Sequence, residues 1–483
     1  MGKISVRIGF VPSLRFRFTE WAQKMRQGSL AAFASIPGME VVVPQEPIPG
    51  VDAIPDDGFT PHGMVQHLDQ GEGVAEYFAR NKVDGIILCP LDFGDERSAV
   101  KIAEKLKVPV LLYATKEPPA YTNSLLGRVS DSYCGNLSMA SGLYRRKIPF
   151  YYAGLFFPDE PELRSAVEEF VRAVAVVKHL KGARIGQVGV RPAAFETVGY
   201  DEIAMVKKFN QNVIYRDLSE IVLRAQNMSR DEPQFQAALN GMRSEAATIS
   251  VAEDYLEKEA RMEAALAEFW RQERLSAMAM SCWPAIQSLY QFSTCSLFGR
   301  LTGQGMLTAC ETDVLGSLAM LVNYAAALGE TPPHFVDWTI QHRQYPNRLL
   351  AWHCGNAPAS LARDPTEVAL RSRHDMKGDL LMLQGDAQAG LFQFQLKPGK
   401  VTFCRLAEYD NRWKMLIAHG EIIPSEETLA GTWSWVEVND HARLYRTLVE
   451  EGFIHHASMI HGDQVQVLKL ACKFMDIQPV VVE

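Results

Sequence analysis

Predominantly apolar runs recur through the first part of the chain, and charged segments separate them. A polar, helix-like segment from about 95 to 106 lies between two of these runs. Strands that are apolar on both faces and joined by amphipathic helices form parallel sheets covered on both sides. The pattern predicts two doubly wound, Rossmann-like α/β domains, at 1–180 and 181–345. The runs that indicate strands are 83–90, 108–113 and 183–190.

Two longer helical patterns fall within the second of these regions. A stretch rich in Glu, Ala, Arg and Met extends from about 251 to 280. An apolar helix is expected from 313 to 328, closed near Gly329.

The hydrophobic pattern of the sequence changes after about residue 346. Short runs that alternate apolar and polar residues replace the long apolar ones, and turn signals at 397–400 and 410–411 separate them. Alternation of this kind is typical of half-buried antiparallel strands. The pattern predicts a third domain over 346–483, an antiparallel β-barrel-like or sandwich fold with a closing helix near 464–474. Its candidate strands are 380–383, 391–396, 401–406 and 413–420.

The charge balance and the cysteines exclude several classes of protein. Of the 483 residues, 57 are acidic and 49 are Lys or Arg, a net charge of −8 that disfavours a nucleic-acid partner. The eight cysteines form no CxxC pair, which favours reduced thiols in the cytosol. The longest apolar stretch, around 315–328, is too short to span a bilayer. We therefore expect a soluble, cytoplasmic protein without a membrane partner.

Four short stretches in the C-terminal half carry residues suited to chemistry. They place carboxylates and histidines at expected strand ends, and Mg²⁺ and Mn²⁺ prefer oxygen ligands, with imidazole acceptable to Mn²⁺. A divalent cation with open positions could bind the adjacent oxygens of a hydroxy-carbonyl compound, and flanking carboxylates could move a proton between its carbons. The stretches are ACETD at 309–313, HFVDW at 334–338, WHCGN at 352–356 and GFIHH at 452–456.

Each of these residues also has a purely structural interpretation. Asp313 and Glu311 suit the first turn of a helix, where an acid caps the backbone and complements the helix dipole. Asp337 could be a turn residue at a strand end, and His353 a hydrogen-bonded core histidine. The pair at 455–456 could lie half exposed on a strand.

The order of these motifs resembles the C-terminal half of the L-fucose/L-arabinose isomerase family. The series ACETD, FVDW, WHCGN, GTW at 431–433 and GFIHH carries the resemblance. The stretches at 185–197 and 281–287 are similar to that family as well, and the likeness extends from about 183 to 470. It implies a ketol isomerisation that depends on Mn²⁺, or on another divalent cation such as Mg²⁺ or Co²⁺, in a hexamer, trimer or similar homo-oligomer.

The resemblance also implies roles for individual residues. Glu311 and Asp337 would be metal ligands and proton shuttles, and His456 a neutral imidazole ligand. His353 matches a further histidine ligand of the arabinose isomerases, which the fucose isomerases lack. His455 would contact the substrate or orient His456.

Contacts with the sugar are expected from a second set of residues. Trp433 and Trp352 would stack on a sugar ring or fill the core. Gln287 and Asn356 would hydrogen-bond sugar hydroxyls, although satisfying a buried turn explains Asn356 equally well. The family resemblance implies that the N-terminal domain of a neighbouring subunit closes the pocket, through a residue such as Arg15, Arg17 or His62.

The leading hypothesis is an isomerase that converts a free aldose to its ketose through an enediol. The sugar could be fucose, arabinose or a modified hexose. A non-catalytic sugar-binding or regulatory protein on the same scaffold is the alternative. An NAD-linked α/β enzyme is disfavoured because Gly186 and Gly189 complete no GxGxxG motif and Pro192 interrupts the expected helix start.

Overall fold

The structure is a computed structural model that describes residues 3–15, 20–44, 63–117, 129–372 and 390–483. It divides into two compact units. One comprises Lys3–Lys178 with Lys473–Met475, and the other His179–Cys472 with Asp476–Glu483. Arg17, His62 and the strand expected at 380–383 lie outside the described residues. None of the described helices is long and apolar enough to cross a membrane.

The first unit contains a five-stranded parallel sheet with helices on both faces. Its strand order is β2-β1-β3-β4-β5, and all its pairings are parallel. Phe10 packs edge-on against Phe33 of α1, whereas its neighbour Val11 belongs to the core shared with α2, α3 and α4. The doubly wound fold predicted for this region is confirmed. Its elements are β1 (Val6–Ser13), α1 (Glu20–Ala34), β2 (Met39–Val42), α2 (Leu68–Arg80), β3 (Gly85–Pro90), α3 (Glu96–Leu106), β4 (Val110–Thr115), α4 (Ser132–Arg145), β5 (Phe150–Phe156) and α5 (Pro161–Leu180).

The second unit begins with another parallel sheet, of order β10-β9-β6-β7. The predicted strand at 183–190 corresponds to β6. The helix expected from 251 to 280 ends earlier, because 277–280 forms the fully buried strand β9. The elements are β6 (Arg184–Val188), α6 (Glu202–Phe209), β7 (Asn212–Arg216), α7 (Leu218–Gln226), α8 (Pro233–Glu245), β8 (Thr248–Ile249), α9 (Glu253–Glu273), β9 (Ala277–Met280), α10 (Ala285–Tyr290), α11 (Cys295–Gly303), β10 (Thr308–Ala309) and α12 (Val314–Ala326).

A ten-stranded mixed sheet completes the second unit, in the order β19-β16-β15-β18-β11-β12-β17-β14-β13-β8. Most neighbours are antiparallel, as predicted. The expectation of a wholly antiparallel sheet is wrong, because β8–β13, β14–β17 and β16–β19 pair in parallel. β16 also pairs with β17, and closure into a barrel stays a prediction. The elements are β11 (His334–Gln341), β12 (Arg348–His353), β13 (Ala369–Ser372), β14 (Gly390–Gln395), β15 (Gly399–Tyr409), β16 (Arg412–Ile423), β17 (Thr432–Glu437), α13 (His441–Glu450), β18 (His456–His461), α14 (Val465–Met475) and β19 (Gln478–Val482).

The predicted division into three domains stays a prediction. The first compact unit ends close to the expected boundary at 180. The boundary expected at 345 falls between β11 and β12, which pair with each other, and β8 joins the same sheet from earlier in the chain. Chain segments from both sides of residue 345 therefore contribute to one sheet.

Helix α12 connects the two sheets of the second unit and fixes the start of the site. As the sequence indicates, its N-cap is Asp313, whose side chain accepts a hydrogen bond from Gly316 N. Every residue of the helix is buried, and it packs on β15 and β18. Asn323, the polar residue within its apolar run, donates to the backbone and hydroxyl oxygens of Ser458. The helix is thereby held in register with β18.

A second buried polar cluster lies between α9, α11 and β14. The Glu259 side chain is fully buried, and Gly390 N donates to its Oε2 at 3.3 Å. Ser296 Oγ lies within hydrogen-bonding distance of both Glu259 Oε1 and Gly390 O. A serine hydroxyl has one hydrogen, so a proton on Glu259 satisfies the second contact. Burial raises the pKa of Glu259 to about 8, against the opposing effects of Ser296 and Arg300.

Candidate metal centre

The first site residue, Glu311, lies in the short loop between β10 and α12. Glu311 and Thr312 adopt left-handed backbone conformations, with φ of 59° and 58°. Such conformations cost of order 1–3 kcal/mol each in residues other than glycine, and they cluster at functional sites. Hydrogen bonds from Thr312 N to Met280 O and from Asp313 N to Cys310 O hold the loop in place. The loop thereby presents the Glu311 carboxylate at the carboxyl end of the parallel sheet.

Three further predicted ligands come from neighbouring strands of the mixed sheet. Asp337 of β11 stands directly opposite His456 of β18 in the antiparallel register. Residues in that position have neighbouring side chains on one face of the sheet. His353 is the last residue of β12, the other neighbour of β11.

The polar atoms of these side chains converge. His456 Nε2 lies 2.8 Å from Glu311 Oε2 and 3.7 Å from Asp337 Oδ1. One potential ligand atom from each of Glu311, His353 and His456 falls within 4.8 Å of the others, and the same holds for Asp337, His455 and His456. Residues that are distant in the chain thus form one compact cluster of nitrogen and oxygen donors.

Four atoms of this cluster are buried and make no hydrogen bond within the described part of the chain. The short approach of His456 Nε2 to Glu311 Oε2 lacks hydrogen-bonding geometry. Buried polar atoms rarely go unpaired in folded proteins, so four together call for partners that this part of the chain does not supply. Carboxylate oxygens with imidazole nitrogens suit Mn²⁺ and similar divalent cations, and the donor set fits such an ion. The atoms are Glu311 Oε2, Asp337 Oδ1, His353 Nε2 and His456 Nε2.

The opposite edges of three of these side chains are anchored. Trp283 Nε1 donates to Glu311 Oε1 at 2.9 Å. His456 Nδ1 lies 2.8 Å from Asp313 Oδ2, in hydrogen-bonding geometry. His353 Nδ1 accepts the backbone N–H of Cys354, which places the proton of a neutral His353 ring on Nε2. Each contact orients its side chain toward the cluster.

Carboxylates surround the His456 imidazole, and this shifts the pKa values of the members of the cluster. Burial disfavours charge on His456, yet its contacts with Asp313 and Glu311 and the charge of Asp337 raise its pKa to about 10. Burial also opposes ionisation of Glu311, but the neighbouring His456 lowers its pKa below the ordinary value. A cavity of this charge attracts a cation, and a bound cation would displace the proton from His456.

A cavity of about 160 Å³ opens onto the cluster. Glu311, Asp337, His353 and His455 reach its surface. The rings of Phe195, Trp283 and Trp352 supply apolar walls, and Phe195 packs edge-on against both Trp283 and His455. Cys282, Cys295, Cys310 and Cys354 complete the lining. Carboxylates beside aromatic walls suit a polar ligand with an apolar face, such as a sugar.

Three residues expected to contact a sugar are not among those that line this cavity. Trp433 is 2% exposed and packs in a core cluster with Leu350 and Trp435. Both polar atoms of the Asn356 amide are occupied, because Oδ1 lies 3.1 Å from His334 Nε2 and Nδ2 contacts Cys310 Sγ. Gln287 is buried on α10. Their roles in substrate binding stay predictions, and the surroundings of Trp433 and Asn356 match the structural alternatives.

Sequence reasoning missed several contacts of the site. Asp313 was recognisable as a helix cap, but its hydrogen bond to His456 spans 143 positions of sequence and leaves no local pattern. Arg405, which pairs with Asp313, lies within an ordinary strand run. Trp283 and Phe195 belong to stretches that resemble the isomerase family, and that resemblance was the available signal.

Comparison with known proteins identifies two family models that match the chain. A family model described as the N-terminal domain of fucose/sulfoquinovose isomerase matches residues 48–181, and one for the C-terminal domain of L-fucose isomerase matches residues 351–482. The second match includes His353 and His456, whereas Glu311 and Asp337 fall between the two.

Relatives named sulfoquinovose isomerase match most of the chain. The protein from Alkalicoccus urumqiensis is 25% identical over 405 residues, which is 83% of this chain and 86% of the relative. The one from Priestia aryabhattai is 25% identical over 411 residues, covering 84% and 87%. The one from Clostridium sp. (strain MSTE9) is 24% identical over 393 residues, covering 78% and 81%. Since the two family models together match more than half of the chain, it belongs to the fucose isomerase-like family of sugar isomerases.

Proposed function

We propose that the protein is a metal-dependent aldose–ketose isomerase whose reaction takes place at the Glu311–Asp337–His456 cluster. The observation that carries the proposal is the set of four buried donor atoms that face one another without hydrogen-bond partners. A protein that merely binds a sugar has no need for two acids and two imidazoles left unpaired in its interior, because unpaired buried polar groups are costly.

Glu311, Asp337 and His456 would hold the cation, which we propose to be Mn²⁺. The bound ion would polarise the sugar carbonyl and stabilise negative charge on the adjacent oxygen. His353 suits a different task, because Cys354 N–H occupies its Nδ1 and leaves a proton on Nε2. That N–H would donate to a sugar oxygen, although a ring turned the other way would make His353 a fourth ligand.

Glu311 and Asp337 would also move the protons of the reaction. One carboxylate takes the proton from C2 of the aldose while the C1 carbonyl oxygen gains one, which gives an enediol. The O2 hydroxyl then loses its proton and C1 gains one, which gives the ketose. No atom is gained or lost overall and no redox cofactor is needed, because the proton-transfer groups act as acid and base in turn.

The relatives suggest which sugar to test first. They are named for sulfoquinovose, a hexose that carries a sulfonate, so a modified hexose is our proposed substrate, with fucose and arabinose as the other candidates. We further propose a cytoplasmic homo-oligomer, following the family resemblance.

A deuterium-exchange assay tests the proposal. The protein would be incubated with Mn²⁺ in D₂O with sulfoquinovose, L-fucose, D-arabinose and L-arabinose in turn, and proton NMR would follow exchange at C1 and C2. We expect exchange with at least one sugar, even if net conversion is slow, and none after the metal is chelated. Mn²⁺-loaded protein that binds a sugar of the panel without any exchange would favour the sugar-binding or regulatory alternative.

A further inference from the structure

A buried chain of three polar side chains adjoins the candidate metal centre, and none of the three is among the residues that line the cavity. Arg405 of β15 is 3% exposed, and Asp313 and His456 are fully buried. The Arg405 guanidinium contacts both oxygens of Asp313, with Nη2 3.1 Å from Oδ1 and Nη1 in closer contact with Oδ2. Asp313 Oδ2 in turn lies 2.8 Å from His456 Nδ1.

The Asp313 carboxylate caps helix α12 and also contacts the His456 ring. The N-cap bond of α12 uses Asp313 Oδ1, which accepts from Gly316 N at 2.8 Å. Oδ2 contacts both Arg405 Nη1 and His456 Nδ1, and a carboxylate oxygen can only accept. His456 Nδ1 must therefore carry its proton, and the lone pair of a neutral ring is then on Nε2, which faces Glu311 and Asp337.

We propose that Asp313 and Arg405 are positioning residues that fix His456 as an Nε2 donor for the cation. This inference rests on the proposed metal-dependent function. Arg405 holds the carboxylate in place, and Asp313 sets the ring orientation and its tautomer. The same residue begins α12, so the ligand geometry is tied to the helix that packs on β18. Partners of ligating histidines typically contribute 10- to 100-fold to metal affinity.

Substitution of Asp313 by asparagine separates the two roles of the residue. Asn is as good an N-cap as Asp, so α12 is expected to keep its start. The side-chain amide presents a donor where Oδ2 accepted. It either faces His456 Nδ1, which then must accept and leave its proton on Nε2, or turns and opposes Gly316 N–H. The first arrangement, which keeps the cap hydrogen bond, removes the Nε2 lone pair. The second keeps the lone pair but sets the amide N–H groups against Gly316 N–H, and the loss of the cap disfavours it.

Calorimetric titration with Mn²⁺ is the test, on metal-free full-length protein. We expect Asp313→Asn to raise the Kd for Mn²⁺ about 10- to 100-fold relative to the unsubstituted protein. Asp440→Asn is the matched control, because Asp440 caps α13 through Arg443 N in the same way but is exposed and belongs to no cluster. The control is expected to bind Mn²⁺ with unchanged affinity.

A second variant guards against misfolding of the first. Asp313→Ser also retains a good cap residue and removes the carboxylate, so a comparable loss of Mn²⁺ affinity is expected. Circular dichroism would establish that each variant is folded before titration. Folded Asp313→Ser protein with the affinity of the unsubstituted chain would overturn the proposal, because serine leaves His456 Nδ1 without its carboxylate partner. Failure of the unsubstituted chain itself to bind Mn²⁺ would instead overturn the metal-dependent function, and this inference with it.

Discussion

Replacing Glu259 by glutamine should stabilise the second unit at neutral pH. Glu259 lies on α9, fully buried, and its contacts with Ser296 and Gly390 suit a neutral, proton-bearing side chain. The charged groups that act on it are Arg300, which pairs with Glu263 and Glu245, and Glu263 itself. Glutamine is nearly isosteric and keeps one donor and one acceptor for the same partners.

The magnitude follows from proton linkage. The pKa of Glu259 is about 8 in the folded protein, against an ordinary value of 4.5. Between these values the folded state holds the proton and the unfolded state releases it, so stability falls as pH rises, by about 1.4 kcal/mol per pH unit. The 2.5 units between 4.5 and 7 therefore correspond to about 3 kcal/mol, which the glutamine variant does not lose.

Urea unfolding between pH 5 and 8, followed by tryptophan fluorescence, measures this difference. All the tryptophans except Trp21 belong to the second unit, so the signal reports the unit that contains Glu259. The stability gain of Glu259→Gln should be small at pH 5 and should grow toward pH 8. Glu253→Gln, at an exposed position of the same helix, is the control and should show no such trend. A gain that is independent of pH, or a loss at pH 8, would refute the assignment of a neutral Glu259.

Three predictions concern the candidate metal centre. Glu311→Gln should lower turnover about 10²- to 10⁴-fold in a steady-state isomerase assay while the protein stays folded, because the residue would lose its ability to take a proton. Glu426→Gln, with a side chain 95% exposed, is the control. Near-normal turnover of the Glu311 variant would contradict its role. Chelation with EDTA should abolish activity and added Mn²⁺ should restore it; full activity in EDTA would exclude a required, exchangeable metal. Gly316→Ala should weaken Mn²⁺ binding and lower the melting temperature, because the added Cβ would lie 2.6 Å from both Asp313 Oδ2 and Phe335 Cε2. Gly303→Ala, where the nearest atom is at 3.4 Å, is the control and should change neither the Mn²⁺ affinity nor the melting temperature.

Local patterns predicted much of the secondary structure. The apolar run at 108–113 corresponds to β4, which spans Val110–Thr115, and the run at 413–420 lies within β16. These predictions succeed because burial on one or both faces dictates the residue types along a strand. The start of α12 could also be predicted, since Asp313 precedes an apolar helical run.

Pairing between strands that are distant in the sequence could not be predicted from local patterns. The run at 277–280 follows a long helix without a strong break, and its small apolar residues fit a helix as well as a buried strand. Its place at the centre of a parallel sheet depends on β6 and β10, which lie far away in the sequence. Likewise, the parallel pairing of β14 with β17 has no sequence signature.

In the candidate site, the reactive residues could be predicted from the sequence, whereas the contacts that hold them could not. The candidate ligands Glu311, Asp337, His353 and His456 could be named from motifs and from the family resemblance. What holds them, above all the hydrogen bond that His456 Nδ1 donates to Asp313 Oδ2, follows from the packing of α12 on β18. Motifs identify the reactive groups, whereas the tautomer and direction of each group depend on contacts made by the folded chain.

The central claim is that Glu311, Asp337 and His456 share one divalent cation. Anomalous diffraction from crystals of the protein grown with Mn²⁺, recorded at the manganese absorption edge, tests it most directly. We predict a single strong peak in contact with Glu311 Oε2, Asp337 Oδ1 and His456 Nε2. Crystals with the cavity accessible and no peak there, or with manganese bound only elsewhere, would contradict it.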